Sequence, residues 1–423
     1  MTLKLQITRR IGQNAGLKLI AEIISRAATF GLLLVATRRL GQAEFGNYNF
    51  GLTVGFVIAQ LADLGLQTVV SREVAFRGRD ARGSVLAGAT IKGILTLLVL
   101  ALIALVAYTQ PPAIRPAIFL LGAAMVIQTF LEYVAYVYRG QQNVLREAIY
   151  LAAARVLVAA LGLALLWLGG RLTGLALATL AGILSVTSFA GWKLWKEGWL
   201  DASRSDLWQT CRFLLRQSLP LGVAVLLSIT YTRAGILILQ VRMDELAVAE
   251  FSAALRLIEP MQILPASLMA AVFPAYASAL VRQPAQARRI GWAASLILGA
   301  AGSCMAIAIW VLAPWGVPFL LGADFFSSGP IARIMGLALP LMFTNYSLTH
   351  YLIARHQQHF LTYFNLIMLL GHTGLMWWLI PHFGAITPAY TVLVAEMVLF
   401  LGSLAVLYRT ESIPSRQEAT VSL

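Results

Sequence analysis

AEIISRAATFGLLLVATRRLG, residues 21–41, is long and apolar enough to cross a bilayer, yet it carries Glu22 and Arg26 in its first turns. A hydrocarbon core about 30 Å thick asks for ~20 apolar residues of helix. It tolerates a charge only where the side chain faces another helix or water. Residues four apart share one helical face. The stretch therefore reads as a membrane span with a polar face.

The composition extends that reading to the whole chain. The 423 residues are 59% hydrophobic and 12% charged, with a mean hydropathy of +0.77. A soluble globular chain is about one-quarter charged, so this is a polytopic membrane protein, and length does not report its number of domains. A net charge of +14 would suggest nucleic acid in a soluble protein. Here the arginines fall mostly between apolar runs, where loop topology accounts for them, and no nucleic-acid partner is expected. Cys211 and Cys304 lie far apart, so neither a disulfide framework nor a metal site is expected. The basic start, MTLKLQITRRIGQNAGLK at 1–18, runs into the first span without a small-residue cleavage site and is expected to be retained.

A sliding window finds about twelve apolar segments, near 15–37, 46–70, 84–108, 116–138, 147–168, 172–194, 214–240, 247–275, 288–313, 330–354, 360–380 and 384–407. The fold class expected is all-α. With the N-terminus inside, the inner loops hold roughly three times the Lys and Arg of the outer ones, which predicts cytoplasmic N- and C-termini. The outer cations are Arg38, Arg39, Arg115, Arg171, Arg242 and Arg333. The longest polar stretch is KLWKEGWLDASRSDLWQTCRFLLRQ at 193–217. Ser203 with Asp206 reads as a capping box. Leu207, Cys211 and Leu214 share a face, and Trp195, Trp199 and Trp208 suit an interfacial helix.

The second half echoes the first. YRGQQNVL at 138–145 matches ARHQQHFL at 354–361, AEFGNYNFG at 43–51 matches AEFSAALRL at 249–257, and ARGSVLAGA at 81–89 lies over ARRIGWAAS at 287–295. Six spans per half is an even number, so the halves enter the membrane the same way, as a parallel repeat. The expected organisation is an N-terminal six-helix lobe at 1–196, a cytoplasmic amphipathic linker at 197–213, a C-terminal six-helix lobe at 214–409 and a polar cytoplasmic tail at 410–423. Repeat-built membrane proteins of this size are mostly secondary transporters, with the substrate site between the repeats around a central cavity. Prolines crowd the second half, at Pro220, Pro260, Pro265, Pro274, Pro340 and Pro388, where they predict kinked helices.

The ionisable residues within the spans are the candidate site. They include Glu22, Arg26, Asp63, Glu132, Arg155, Arg233, Arg256, Glu259 and Glu396. An arginine on lipid at a helix centre costs ~2.5–3.5 kcal/mol, so these face the bundle or a wet cavity. Glu22 with Arg26, and Arg256 with Glu259, are spaced to pair on one face. Arg155 and Arg233 have no acid at helical spacing, and require a partner on another span or a ligand. A cationic cavity suits phosphate, because the guanidinium fork donates two parallel hydrogen bonds and keeps its proton. Asp63, Glu132 and Glu396 suit a coupling H⁺ or Na⁺, or equally a hydrogen-bonded contact between helices. HQQH at 356–359 has metal-like spacing without an acidic third ligand nearby, and is discounted. No P-loop, dinucleotide fingerprint or HExxH occurs. Neither catalysis nor a cofactor is expected.

Two stretches carry a resemblance. RRLGQAEFGNYNF at 38–50, after a first span with an internal arginine, and AALRLIEPMQILPASLMAAVFPAYA at 253–277 resemble the Wzx-type polysaccharide and oligosaccharide flippases. These belong to the multidrug/oligosaccharidyl-lipid/polysaccharide exporter superfamily. The resemblance covers nearly the whole chain. It implies two six-helix lobes around a central cavity that opens alternately to each side. It implies ion-coupled transfer of an undecaprenyl-diphosphate-linked sugar unit across the cytoplasmic (bacterial inner) membrane, for O-antigen, capsule or exopolysaccharide synthesis. By span and context, Arg26, Arg233 and Arg256 would meet the diphosphate. Relatives that move the peptidoglycan precursor usually have fourteen spans, so twelve argues against that substrate. The expected partners are the lipid-linked oligosaccharide, H⁺ or Na⁺, membrane lipids and other polysaccharide-assembly proteins. The competing readings are a multidrug-type cation antiporter, against which four intramembrane arginines argue, and a non-transporting scaffold of a glycan-assembly complex.

Overall fold

The computed structural model describes residues 2–201, 206–355 and 357–411, with side chains from Lys18 onward except at 19, 281, 358, 359, 362, 410 and 411. Ser203 of the expected capping box, His356 of HQQH and positions 412–423 of the polar tail lie outside the described residues.

Every long element is a helix: α1 Thr2–Asp63, α2 Leu66–Arg77, α3 Arg82–Thr109, α4 Arg115–Gly140, α5 Val144–Trp167, α6 Leu172–Lys196, α7 Leu207–Arg242, α8 Glu245–Ile258, α9 Ile263–Arg282, α10 Pro284–Leu321, α11 Ser328–Ala354, α12 Gln358–Phe383 and α13 Thr387–Glu411. That is what lipid demands, since helices satisfy their own backbone groups. Among the described residues, ten helical stretches are long and apolar enough to cross a membrane. Three are too long for one crossing: Ile20–Asp63 and Leu66–Thr109 have 44 residues each and Tyr363–Arg409 has 47. At about 1.5 Å per residue, each is roughly twice the thickness of the hydrocarbon core.

The breaks resolve the count. α1 interrupts its helical backbone at Gly41, at φ 72° and ψ 177°, a region essentially reserved for glycine. The stretch 21–41 therefore ends where the first crossing ends. The second crossing resumes beyond Gly41 and continues, through a break at Asp63–Gly65, into α2. α12 and α13 separate at a 3₁₀ turn, Gly384–Ile386. About twelve crossings result. α8 and α9 meet at another 3₁₀ segment, Glu259–Gln262, which holds Pro260. There the ring removes a backbone donor.

The chain divides into two compact units, Met1–Gln240 with Asp244–Ala249, and Val241–Met243 with Glu250–Leu423. In the first, α4 is the central helix and packs on α1, α2, α3, α5 and α6. One apolar cluster joins Val69 and Val70 of α2, Val85 of α3, Leu131 and Val137 of α4, and Leu214 of α7. Trp199 is buried in the same cluster, whereas Trp195 and Trp208 are exposed. The expected Leu207–Cys211–Leu214 face does turn inward, but the helix beginning at Leu207 runs unbroken to Arg242. In the second unit, α11 packs on α10 and α13, and α12 on α13.

Candidate functional site

Two groups of intramembrane charges form in the first unit. The first lies between α1 and α5. Glu22 Oε1 accepts from Arg26 Nε at 2.9 Å, one turn along α1, as the spacing predicted. The same oxygen stands 3.6 Å from Arg155 Nη1. Arg155 also donates to Ser25 Oγ at 3.4 Å, and that hydroxyl donates to the Glu22 carbonyl at 3.0 Å. The acid that Arg155 lacks on its own helix is thus supplied by α1. Two guanidiniums face one carboxylate, leaving a local excess of one positive charge. Arg155 is 11 residues beyond Val144 in a helix of 24, so it sits about 17 Å from either end. Its side chain is 48% exposed and that of Arg26 is 40% exposed. At that depth such exposure is sustainable only toward a water-filled space.

The second group lies where α1 ends. Lys92 Nζ, on α3, donates to Asp63 Oδ1 at 2.9 Å. The two side chains are 0% and 5% exposed. The other Asp63 oxygen accepts from the Gly65 backbone at 3.1 Å, so the carboxylate also caps the break between α1 and α2. The Lys92 ammonium stands 5.6 Å from the Phe130 ring centre and 6.0 Å from that of Tyr133, both on α4. Glu132, on the same helix, accepts from Gln128 Nε2 at 3.3 Å. It also interacts electrostatically with Lys92, Asp63 and Arg155.

The break itself is tightly built. Gly65 has φ 78°, and a Cβ there would stand 2.9 Å from the Gly222 nitrogen and the Ser218 carbonyl oxygen of α7. Leu64 has φ 44°, uncommon for a residue with a side chain, and packs on Gly222. An interrupted helix held by a buried charge is a recurrent way to build polar sites in membrane proteins.

The remaining expected residues have contacts of their own. Arg233 of α7 lies 6.0 Å from the ring centre of Phe56. In the second unit Arg256 Nη1 is 3.7 Å from Glu259 Oε2, the expected i, i+3 pair. Asn345 Nδ2 donates to Glu396 Oε2 at 2.7 Å and to the Glu396 carbonyl at 2.8 Å, tying α11 to α13. Lys92, which is not among the candidate residues expected from sequence, joins the site through Asp63. Its signal was present, as a lysine inside the apolar run 84–108, and an ionisable group in a span marks a candidate site.

The family model described as polysaccharide biosynthesis protein matches residues 11–280. No curated protein sequence matches the chain. Among solved structures, the chain is similar to a multidrug resistance MATE family transporter of the MOP superfamily in an inward-facing conformation. The TM-score is 0.73 at 16% identity, over 92% of this chain and 96% of that one. It is similar to the lipid II flippase MurJ in an inward closed conformation, with TM-score 0.72 at 13% identity over 95% of this chain and 88% of that one. It is also similar to a MOP superfamily transporter from Pyrococcus furiosus, with TM-score 0.60 at 15% identity over 94% and 95%. At these identities the likeness is one of fold. The sequence match spans more than half of the chain, and the helices it covers include α1 and α5 with their arginine cluster: this multi-pass membrane protein, with the MATE and MurJ fold, belongs to the polysaccharide biosynthesis protein family.

Proposed function

We propose that this protein is a flippase that moves a polyprenyl-diphosphate-linked oligosaccharide across the cytoplasmic membrane, by ion-coupled alternating access, for polysaccharide synthesis. The single observation that carries the reading is the Glu22–Arg26–Arg155 cluster. It is cationic, at mid-span and half-exposed. A diphosphate and its sugars cannot enter hydrocarbon without a replacement for their hydration. Guanidinium forks in a wet site supply it, at the place where two negative charges would otherwise be most costly. Family membership and the MurJ-like fold support the reading.

In this reading Arg26 and Arg155 bind the diphosphate, with Arg233 and Arg256 as further contacts. Glu22 orients the two guanidiniums while the site is empty. Glu259 restrains Arg256, and Asp63, Glu132 and Glu396 are the candidates for the coupling ion. The moving parts are two six-helix lobes, 1–196 and 214–409, joined by the linker 197–213, with both termini and the tail 410–423 on the cytoplasmic side.

Sealed liposomes holding the purified protein and a labelled polyprenyl-diphosphate saccharide test this directly. The label should become accessible to an impermeant sugar-modifying enzyme faster than in empty liposomes. That acceleration should disappear in Arg26→Ala. An inserted, folded protein that gives no acceleration but expels a cationic dye would replace this reading with the cation antiporter.

A further inference from the structure

We infer that Glu396 is a proton-binding site of the second unit, built with Asn345, and that its proton is the coupling ion. The site stands apart from the flippase reading, and its coupling role rests on that reading.

Glu396 lies at the middle of the span expected at 384–407, on α13, which packs on α11 and α12. It is the only acid between Asp324 and Glu411, and it is half-buried. Among the described residues its one hydrogen-bond or ion-pair partner is the side-chain amide of Asn345 on α11, which is neutral and buried. The cations of these helices are far away in register. Arg333 lies 12 residues before Asn345, Arg355 ten beyond it, and Arg409 13 beyond Glu396, distances of ~15–20 Å along a helix. His350 of α11 is engaged with the Tyr346 carbonyl at 2.7 Å and stacks on the Tyr346 ring. α12 carries His372 and His382, and neither is a partner of Glu396. A carboxylate this deep without a cation is costly, and a proton removes the charge.

The amide shows where that proton goes. Asn345 Nδ2 donates to Glu396 Oε2 at 2.7 Å and to the Glu396 carbonyl at 2.8 Å. A backbone carbonyl can only accept, so the nitrogen of the amide faces α13. Asn345 Oδ1 is buried and has no donor among the described residues. An ionised carboxylate cannot supply one, whereas a carboxylic acid carries one O–H. Protonated Glu396 and the Asn345 amide thus satisfy each other: one acid oxygen accepts from Nδ2 and the acid hydroxyl donates to Oδ1. The same orientation argues against Na⁺, because a hard cation seeks a cage of oxygens and would meet an N–H here. A proton taken from the outer side and released to the inner side moves down an inward gradient. Its exchange for an anion moving outward has the direction that flipping requires.

Infrared difference spectroscopy of the purified full-length protein in liposomes tests the site. As the pH is raised, the wild type should lose the C=O stretch of a carboxylic acid that Glu396→Gln does not show. Asn345→Ala should keep this band and move it to higher frequency, the mark of an acid that has lost its hydrogen bonds. A spectrum unchanged by Glu396→Gln would overturn the inference. The liposome flipping assay tests the coupling. An inward proton gradient should accelerate the wild type and have no effect on Glu396→Gln. Acceleration by a Na⁺ gradient alone, or undiminished proton acceleration in Glu396→Gln, would overturn the coupling role. A wild type that shows the band but flips nothing under any gradient would overturn the flippase reading and leave the proton site standing.

Discussion

Lys92 on α3 donates to Asp63 on α1 at 2.9 Å across 29 residues of sequence, and both side chains are buried. That pair holds the break in the second crossing against the third. Its second acceptor oxygen fixes Gly65, so one buried carboxylate sets both a helix contact and a helix break. The cost of separating the partners follows from their burial, because a lone charge there has no water to replace the other.

Lys92→Met should therefore destabilise the protein by about 3–5 kcal/mol, the usual result of orphaning a buried charge. Lys92→Met with Asp63→Asn should recover most of that loss, since the amide oxygen still accepts from Gly65 and no charge is left unpaired. Thermal unfolding of purified protein in one detergent checks both. A single variant as stable as wild type would show that the pair contributes nothing.

Arg155 separates charge from geometry. Arg155→Lys keeps the cation and loses the planar fork, and should slow flipping at least about tenfold. Arg155→Gln should slow it further. Amounts inserted into the membrane should match wild type in both, because the residue is half-exposed. Equal flipping by the lysine variant would mean that the site reads charge alone.

Gly65→Ala tests the break. An L-residue at φ 78° carries a backbone penalty of ~1–2 kcal/mol. The new methyl would also press on Gly222 and Ser218 at 2.9 Å. Gly222→Ala attacks the same contact from α7, where it meets Leu64. Each should lower the unfolding temperature, and the double variant should lose less than the sum, as neighbours do. Strict additivity in the unfolding measurements would show that the two glycines do not share a contact.

The sequence by itself determined that this is an all-helical, multi-pass membrane protein. Hydrophobicity over ~20 residues is a local property, and lipid leaves the backbone little alternative to a helix. It also determined the Glu22–Arg26 and Arg256–Glu259 pairs, because three and four residues along a helix are neighbours whatever else the chain does. What only the tertiary structure decided is which helices share a charge. Glu22 reaches Arg155 and Asp63 reaches Lys92 because α1 packs beside α5 and α3, and no spacing rule relates residues so far apart in sequence. The interruption at Asp63–Gly65 was equally hidden within an apolar run read as one segment, 46–70. A helix breaks there because a left-handed glycine, a buried carboxylate and the backbone of α7 meet at one point.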